Sequence, residues 1–478
     1  MHRPPFAVSL ARHAALASAL LAAALGGCRG EDEGAPEAPV AKPRPRHVVW
    51  IVLDTLRADA LGCYGNARAT SPVLDALAAR GVLVEDAFAH APWTRPSAAS
   101  MLCSLHPPEH GIRSEDPRDV LPEAVLTLAE HLRAHAFRTA AISENPHVQQ
   151  ATGFAQGFEL FLGKPLWQSE PAWMLEQARA VLGAVRESKE PLFLYVHALD
   201  PHDPYQPSEE DRRAILGSQR SSDGDVDAGR ALRRTERLLA GEALSSEDLQ
   251  VLRGLYEAEV RGADRFVGEL LSLVREHGLI DDALVLVTSD HGEEFLEHGM
   301  LRHGDQLHDE SLRVPLLFAG PGLAPRRARA ALARHVDLAP TVLELLDLPQ
   351  PEGWRGRSLA PALRGDAQKP AALYAETRWR ELGRAAIRDA RWKLVEDERT
   401  GTRSLFDLES DASETRDTSA AHVQRIDELA RDLDLLRRAF RAVGQGEPKG
   451  LSDYDRATWE ALQKLGYTGA PEPPSKQR

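Results

Sequence analysis

The chain has 478 residues, and 43% of them are hydrophobic, so it is long enough to bury a large core and disorder throughout is excluded. Lys and Arg number 58 and Asp and Glu number 72, which gives a formal net charge of −14 at neutral pH. This balance argues against a nucleic-acid partner, because phosphate backbones would be repelled, and an anionic substrate would need a local positive site such as a bound metal ion.

Residues 1–27 have the pattern of an export signal, with Arg3 and Arg12 ahead of an apolar run from Ala14 to Leu25. The run is too short to span a bilayer comfortably. It ends in Leu25-Gly26-Gly27-Cys28, which resembles the lipobox of bacterial lipoproteins, so we expect a lipid anchor on Cys28 and a periplasmic or cell-surface location. An ordinary cleaved signal with an incidental cysteine is the alternative. Residues 28–46 alternate Pro, Ala and charge and predict a flexible tether.

Short apolar runs alternate with amphipathic stretches from residue 47 onward. The runs are rich in Val, Ile and Leu and predict buried parallel strands at His47 to Leu53, Arg138 to Ile142, Leu192 to Val196, Ala283 to Thr288 and Val314 to Phe318. Helical spacing of apolar residues predicts helices at Pro72 to Arg80, Pro122 to His135, Ala172 to Arg186 and Leu249 to His277. This alternation predicts a doubly wound α/β sheet flanked by helices.

Side chains that can bind metals follow three of these predicted strands. Asp54 follows the first strand, His197 follows the strand that begins at Leu192, and Asp290 with His291 follows the strand that begins at Ala283. Ligands of doubly wound sheets bind beside the carboxyl ends of the strands, so we expect these side chains to converge. Asp54, Asp290 and His291 together form an oxygen and nitrogen ligand set for a divalent cation, although a lone Asp after a strand is more often a helix cap.

A hydroxyl stands at a predicted helix start. In the stretch from Ala91 to Leu102, Pro96 suits the first turn of a helix, so Thr94 lies at or just before the helix begins. Unpaired backbone N–H groups and the positive end of the helix dipole favour a phosphoryl or sulfuryl oxygen at such a place. A metal ion bound to Thr94 would activate its hydroxyl as a nucleophile. The alternative is that Thr94 only caps the helix.

Two further segments depart from the alternation of apolar runs and amphipathic stretches. Gln206 to Gln250 is polar and predicts a surface insertion with some helix. After residue 370, strand candidates followed by a helix predict a small antiparallel sheet with a covering helix: Ala372 to Glu376, Ala385 to Arg388, Trp392 to Glu396, Ser404 to Leu408 and the helix from about Ala420 to Val443. We expect a catalytic domain over residues 47–370 and a C-terminal subdomain and tail over residues 371–478. We expect Cys63 and Cys103 to be two buried free thiols, and a disulfide between them is the alternative.

Several short motifs together resemble the sulfatase family of the alkaline phosphatase superfamily: Val52 to Asp59, Pro96-Ser97, Asp290 to Glu293, Arg313 to Pro315, Trp392 to Leu394 and Leu405 to Leu408. The likeness extends from about His47 to Tyr467. It implies an alkaline-phosphatase-like fold and a divalent metal ion, which could be Ca, Mn, Zn or Mg. It further implies hydrolysis of a sulfate or phosphate ester on a small molecule or a glycan.

The resemblance also implies roles for individual residues. Asp54, Asp290 and His291 correspond to metal ligands of the family, and Thr94 corresponds to the nucleophile, which also contacts the metal. In sulfatases proper the nucleophile is a Cys or Ser matured to formylglycine, and formylglycine cannot form from Thr94. Three other positions depart from the family pattern, with Ala98 for an Arg, Thr55 for a second Asp and Val73 for an Asn. In these departures the chain looks more like relatives that hydrolyse phosphodiesters or phosphonates.

The histidines complete the expected site. The stretch from His197 to His202 resembles a histidine loop of the family, which implies that His202 stabilises the leaving group or acts as a general acid and that His197 assists. His303 lies 13 residues after Asp290, where relatives often carry a Lys that neutralises substrate charge. An exposed loop histidine is the alternative for His202 and for His303.

Three hypotheses follow. The first is a one-metal hydrolase of sulfate or phosphate esters with Thr94 as the nucleophile or as the anchor for an activated water. The second is a two-metal phosphatase or phosphodiesterase, in which Asp200, His202 and His303 form another metal site. The third is a catalytically inactive, glycan-binding lipoprotein, suggested by the missing formylglycine precursor, Ala98 and Thr55.

Overall fold

An eight-stranded sheet forms the centre of the computed structural model, which describes residues 43–164, 169–217, 244–329 and 332–443. The predicted export signal, most of the tether, the middle of the polar insertion and the tail after residue 443 lie outside the described residues. In spatial order the sheet consists of β12 (Arg326–Ala328), β2 (Val82–Val84), β11 (Leu316–Ala319), β7 (Ala283–Thr288), β1 (His47–Leu53), β6 (Leu192–Ala198), β4 (Arg138–Ser143) and β5 (Leu160–Gly163). All neighbours pair in parallel except β11, which is antiparallel to both β2 and β7.

Helices cover both faces of this sheet, as the doubly wound prediction requires. The helices of the described residues are α1 (Pro72–Arg80), α2 (Thr94–Cys103), α3 (Pro107–His110), α4 (Leu128–Ala134), α5 (Pro171–Ser188), α6 (Glu209–Leu216), α7 (Ser246–Glu276), α8 (Asp309–Leu312), α9 (Leu338–Leu345), α10 (Ala360–Arg364) and α11 (Val423–Val443), of which α11 belongs to the C-terminal region instead. Val48, Trp50 and Val52 of β1 belong to one hydrophobic cluster, and the alternating Val49, Ile51 and Leu53 belong to the other. Such alternation in a fully buried strand places a packed core on each face.

Three smaller sheets surround the central one. A three-stranded sheet contains β10 (Arg313–Val314), β3 (Ala87–Phe88) and β13 (Ala333–Arg334), and β8 (Glu294–Phe295) pairs with β9 (Leu301–Arg302). The fourth sheet is antiparallel and contains β14 (Leu373–Thr377), β15 (Arg384–Arg388), β16 (Trp392–Asp397) and β17 (Arg403–Asp407). The α11 helix packs on it through Leu429, Leu433 and Leu436. This arrangement confirms the predicted small sheet with its covering helix, and the domain boundary at residue 370 stays a prediction.

Two sequence-based element predictions were wrong in detail. The apolar run from Val314 to Phe318 is not one parallel strand, because it divides at Pro315 into β10 and β11, and β11 enters the central sheet antiparallel. Proline has no N–H for a sheet ladder, which suits a change of sheet at that position. The helix predicted from Pro122 begins only at Leu128, because Thr127 accepts a hydrogen bond from the Glu130 N–H and the Glu130 carboxylate accepts one from the Thr127 N–H.

Cys63 and Cys103 are both free, with Cys103 buried and Cys63 half-buried. Within the ranges that the structure describes, no helix has both the length and the apolar character needed to cross a bilayer.

Candidate active site

The parallel register of the central strands brings three ligand-type side chains together. Val52 of β1 stands opposite His197 of β6 and opposite Thr288 of β7, so the residues that follow β1 and β7 lie beside the end of β6. Oxygen or nitrogen atoms of Asp54, His197 and Asp290 all lie within 4.8 Å of one another. The sequence placed His197 after its strand, whereas β6 continues to Ala198 and His197 is its penultimate residue.

Two more predicted site residues reach the same point. The His291 Nε2 atom lies 3.5 Å from Asp54 Oδ1 and 3.6 Å from Asp290 Oδ2. Thr94 is the first residue of α2, and its Oγ1 atom lies 3.3 Å from His291 Nε2. Thr94 is 2% exposed, and the other four side chains of the cluster are fully buried. We refer to Asp54, Thr94, His197, Asp290 and His291 as the metal-ligand cluster.

Three atoms of this cluster have no hydrogen-bond partner among the residues that the structure describes. They are Asp54 Oδ1, His197 Nε2 and Asp290 Oδ2, and each is buried. Leaving a buried polar atom unpaired is costly, and two carboxylates that are buried side by side repel each other. A divalent cation removes both costs, because it accepts lone pairs from carboxylate and imidazole and supplies the missing positive charge. The residues present therefore fit a metal ion.

The pKa shifts of the cluster residues also indicate a site that fits a metal ion. Burial and the nearby Asp290 carboxylate raise the pKa of Asp54 well above its usual range. Burial also opposes the charged form of Asp290, but the neighbouring His291 and His197 outweigh it and hold the Asp290 pKa below its usual range. One carboxylate of the pair therefore ionises readily while the second resists, unless a cation balances both. Burial lowers the pKa of His291 to about 4, so its imidazole is neutral at pH 7, as metal ligation requires.

The surrounding hydrogen bonds orient the cluster. The Nδ1 atom of His291 lies 2.9 Å from the Gly292 carbonyl oxygen, so Nδ1 carries the proton and the Nε2 lone pair points at the cluster. The Asp290 Oδ1 atom accepts hydrogen bonds from the N–H groups of Thr55 and His291, at 3.3 and 3.0 Å. Thr55 has a φ of 58°, in the left-handed region that β-branched residues rarely adopt. Its backbone is thus held in a strained form where it supports Asp290.

Two supporting side chains were not predicted from the sequence. Asn145 donates a hydrogen bond from Nδ2 to Asp54 Oδ2, and the Tyr195 hydroxyl is 2.9 Å from Nδ1 of His197. Asn145 lies two residues after β4, so the reasoning about strand ends could have found it. Tyr195 lies within the apolar strand β6 and packs in the hydrophobic core, and no sequence signal distinguishes it from the other core residues.

His202 and His303 lie beside the metal-ligand cluster. The ring centroid of His303 is 4.4 Å from that of His291 and 5.0 Å from that of His202. His303 Nδ1 lies 3.0 Å from Oε1 of Glu293, and the Tyr205 hydroxyl donates to Glu293 Oε2 at 3.0 Å. Burial lowers the pKa of His303 to about 3 and raises that of Glu293 to about 7. Every predicted site residue is therefore in or next to one site, and neither histidine belongs to an exposed loop.

A cavity of about 440 Å³ opens beside these two histidines. Its lining includes His147, His202, Arg302, His303, Asp305 and Trp379. The size is typical of pockets that hold small ligands. His303 lines the cavity and its ring packs against that of His291, so the cavity lies next to the metal-ligand cluster, and the two together form the candidate active site.

Comparison with known proteins gives the site its context. The sulfatase family model matches residues 46–348, and the model of the N-sulphoglucosamine sulphohydrolase C-terminal region matches residues 297–438. The chain is 23% identical over 413 residues to the Delta 4,5-hexuronate-2-O-sulfatase of Bacteroides thetaiotaomicron, covering 79% of this chain and 85% of the relative. It is 27% identical over 360 residues to human arylsulfatase A, covering 70% of each protein.

Solved structures share the fold. The protein BT4656, solved in complex with its substrate D-glucosamine-2-N,6-O-disulfate, superposes with a TM-score of 0.67 at 18% identity and covers 85% of this chain and 99% of its own. The phosphonate monoester hydrolase of Agrobacterium radiobacter superposes with a TM-score of 0.67 at 23% identity and covers 83% of this chain and 96% of its own. The chain thus belongs to the sulfatase family of the alkaline phosphatase superfamily and is a hydrolase of sulfuric or phosphoric esters.

Proposed function

We propose that the protein hydrolyses a sulfate or phosphate ester with one divalent metal ion bound by Asp54, Asp290, His291 and Thr94, and that His197 is a further ligand. The observation that carries this proposal is the set of three unpartnered buried atoms on Asp54, His197 and Asp290, three side chains whose ligand atoms lie within 4.8 Å of one another. A bound cation would supply charge stabilisation for the ester oxygens and would help to ionise the Thr94 hydroxyl.

Thr94 is the proposed nucleophile. Its Oγ1 atom lies 3.3 Å from His291 Nε2 at the first residue of α2 and, unlike Thr127 before α4, makes no hydrogen bond that caps its helix. Attack of this oxygen on the sulfur or phosphorus forms a bond to Thr94 and breaks the bond to the leaving oxygen. Water then hydrolyses the threonyl ester, which releases sulfate or phosphate and returns the hydroxyl. The helix start contributes N–H groups and a positive dipole end to the developing negative charge.

The two adjacent histidines have separate proposed roles. His202 gives a proton to the leaving oxygen, so that the product departs as an alcohol. His303 holds a non-bridging oxygen of the ester, in the place where the family resemblance suggests a Lys. The contact between Glu293 and Nδ1 of His303 fixes the orientation of its ring. The His303 side chain is 11% exposed and that of His202 is 12% exposed, so both remain accessible from the cavity.

A sulfated or phosphorylated glycan is the proposed substrate class. Support comes from the relatives, because BT4656 was solved with a glucosamine disulfate and the Bacteroides relative is named for a hexuronate. The phosphonate monoester hydrolases among the structural neighbours support chemistry on phosphorus as well as on sulfur.

The one-metal version is better supported than the two-metal version. Asp200, His202 and His303 are all described by the structure, yet they do not form a second group whose ligand atoms lie close enough to share an ion, whereas Asp54, His197 and Asp290 do. The inactive version is less well supported, because the Thr94 hydroxyl still lies against His291 and the rings of His202 and His303 still lie beside the metal-ligand cluster. The differences from the family pattern at Thr55 and Ala98 are therefore better explained by a change in the reaction than by a loss of catalytic activity.

Elemental analysis combined with an ester panel tests the proposal. The purified protein is loaded in turn with Ca, Mn, Zn and Mg, and then assayed on p-nitrophenyl sulfate, p-nitrophenyl phosphate, bis-p-nitrophenyl phosphate and a phenyl phosphonate ester. We expect about one metal equivalent per chain and turnover of at least one ester. Two equivalents would favour the two-metal version. Binding of a sulfated glycan without turnover of any ester under all four metals would favour the inactive version.

We also propose that Cys28 carries a lipid anchor that holds the enzyme on the outer side of a bacterial membrane. The proposal rests on the sequence from Arg3 to Cys28, which lies outside the described residues. Expression in a bacterial host with labelled palmitate tests it. We expect label on the wild-type protein and none on Cys28→Ser, and an unlabelled wild-type protein would contradict the anchor.

A further inference from the structure

Trp379 forms one wall of the cavity, opposite the catalytic histidines. It follows β14 of the C-terminal sheet, whereas the metal-ligand cluster belongs to the central sheet. The Trp379 ring centroid lies 5.1 Å from that of Trp93, the residue immediately before the proposed nucleophile. His202 and His303 line the same cavity as this indole, so a leaving oxygen that takes the proposed proton from His202 would carry its group into this cavity.

The backbone around Trp379 is built to hold the indole in this place. Gly304 has a φ of 101°, and a Cβ atom at that position would lie 2.9 Å from the indole ring, so only glycine permits the contact. The Thr377 hydroxyl donates a hydrogen bond to the Gly304 carbonyl oxygen and ties the two segments together. Arg380 and Glu381, which follow, have φ values of 50° and 62°. Two consecutive left-handed non-glycine residues are strained, and such strain is typical of ligand-binding loops.

The rest of the cavity wall is polar and offers both donors and acceptors. The Arg302 guanidinium pairs with the Asp203 carboxylate at 3.0 Å, while its Nε atom has no partner. Asp305 adds a second carboxylate to the lining. Arg380 lies over the Trp379 ring, 5.9 Å from its centroid, and among the described residues it forms no ion pair. Neighbouring cations and carboxylates of this kind match hydroxyl groups, which both donate and accept hydrogen bonds.

We propose that Trp379 is the platform on which the leaving group stacks and that this leaving group is a sugar ring. The proposal rests on the proposed function and specifies its substrate. A pyranose has an apolar C–H face, which suits the flat indole, and a rim of hydroxyl groups, which suits Arg302, Asp203 and Asp305. A purely aromatic leaving group would use the indole but would make no hydrogen bonds to this polar wall, and binding would lose their contribution.

Esters of primary alcohols with and without a sugar ring separate recognition of the sugar from the rate of ester hydrolysis. Glucose 6-sulfate, galactose 6-sulfate and N-acetylglucosamine 6-sulfate are each compared with ethyl sulfate, and the corresponding phosphates with ethyl phosphate, because leaving-group acidity is similar within each set. For the wild-type enzyme we expect the kcat/KM of at least one sugar ester to exceed that of the ethyl ester. In Trp379→Ala this preference falls about tenfold, mainly through KM, and Trp379→Phe restores part of it.

Gly304→Ala and Trp392→Ala are the companion variants. Gly304→Ala should lower the same preference without changing the tryptophan, because the added methyl group displaces the indole. Trp392 is half-buried in β16 of the same C-terminal sheet, packs edge-on against His422 and does not line the cavity, so Trp392→Ala should keep the wild-type preference.

Each remaining outcome overturns one proposal. Turnover of p-nitrophenyl esters without preference for any sugar ester, or an equal loss on sugar and ethyl esters in Trp379→Ala, removes the sugar subsite and leaves the hydrolase intact. Inactivity of the metal-loaded wild-type enzyme on every ester removes the hydrolase, and with it the subsite.

Discussion

The Oγ1 atom of Thr94 lies 3.3 Å from the Nε2 atom of His291, although 196 residues separate them in the chain. The first begins a helix on one face of the central sheet, and the second follows the carboxyl end of β7. This contact joins the helix-start hydroxyl to the metal-ligand cluster, and the functional interpretation depends on it.

Replacement of Thr94 tests this contact directly. We expect Thr94→Ala to lower kcat about a thousandfold on any ester that the wild-type enzyme hydrolyses, because the attacking oxygen is removed. The melting temperature should change little, since Thr94 makes no capping hydrogen bond. Steady-state kinetics and differential scanning calorimetry measure the two effects.

Thr127→Ala is the matched control for Thr94→Ala. Thr127 also stands at a helix start, but its hydroxyl accepts a hydrogen bond from the Glu130 N–H. We expect it to lower the free energy of unfolding by about 1 kcal/mol and to leave kcat unchanged. If Thr94→Ala behaved in the same way, Thr94 would be only a structural residue.

Replacement of His197 distinguishes a metal ligand from a catalytic helper. As a ligand, His197 contributes to metal affinity, so His197→Ala should lower the metal content after dialysis against a fixed metal concentration. Added metal should then restore part of the activity. A variant that kept one full equivalent of metal and still lost activity would place His197 in the chemical step instead.

Metal removal should destabilise the wild-type protein more than an Asp290→Asn variant. In the wild-type protein without metal, Asp54 and Asp290 repel each other in a buried site, whereas metal stabilises the folded form by mass action. Asp290→Asn removes both the repulsion and a ligand. We therefore expect the melting temperature to fall on addition of EDTA in the wild type and to be nearly insensitive to EDTA in the variant. Equal sensitivity would indicate a metal site elsewhere.

Replacement of His202 should show the signature of a lost general acid. We expect His202→Ala to reduce kcat/KM on ethyl sulfate or ethyl phosphate at least about a hundredfold, because an alkoxide leaves poorly without a proton. On the p-nitrophenyl ester the loss should be far smaller, because that oxygen leaves readily as an anion. An equal loss on both esters would show that His202 acts before departure of the leaving group.

A buried histidine away from the site should make the fold sensitive to acid. His110 accepts a hydrogen bond at Nδ1 from the Ile112 N–H, and its Nε2 lies 3.2 Å from the Ser100 hydroxyl oxygen. Burial lowers its pKa to about 3, against about 6.5 in an unfolded chain, so the unfolded state binds the extra proton between these values. The contribution of His110 to the free energy of unfolding is therefore fully present above pH 6.5 and is lost as the pH falls towards 3.

His110→Gln should flatten this acid dependence. We expect the slope of the unfolding free energy against pH, measured by urea denaturation between pH 6.5 and pH 4, to fall by up to about 1.4 kcal/mol per pH unit. Ser100→Ala removes a hydrogen-bond partner and leaves the imidazole buried, so it should keep the wild-type slope. Identical slopes in wild type and His110→Gln would show that His110 does not titrate on unfolding.

The class of fold and most of the candidate site residues could be predicted from short sequence patterns. Asp54, His197 and Asp290 could be selected because buried strands read as continuous apolar runs and ligands bind at the carboxyl ends of parallel strands. Pro96 and the family motifs identified Thr94 in the same way. These signals are local, since each depends on a few neighbouring residues.

The side chains that support the candidate site and line its cavity could not be predicted in this way, because they are brought there by long-range contacts. The partnership of Asn145 with Asp54, that of Glu293 with His303, and the position of Trp379 beside Trp93 each join residues far apart in the chain. The antiparallel direction of β11 likewise could not be predicted from the sequence, because the apolar pattern of a strand is the same in either direction. Such relationships arise from strand order and packing between elements, and local pattern carries no information about either.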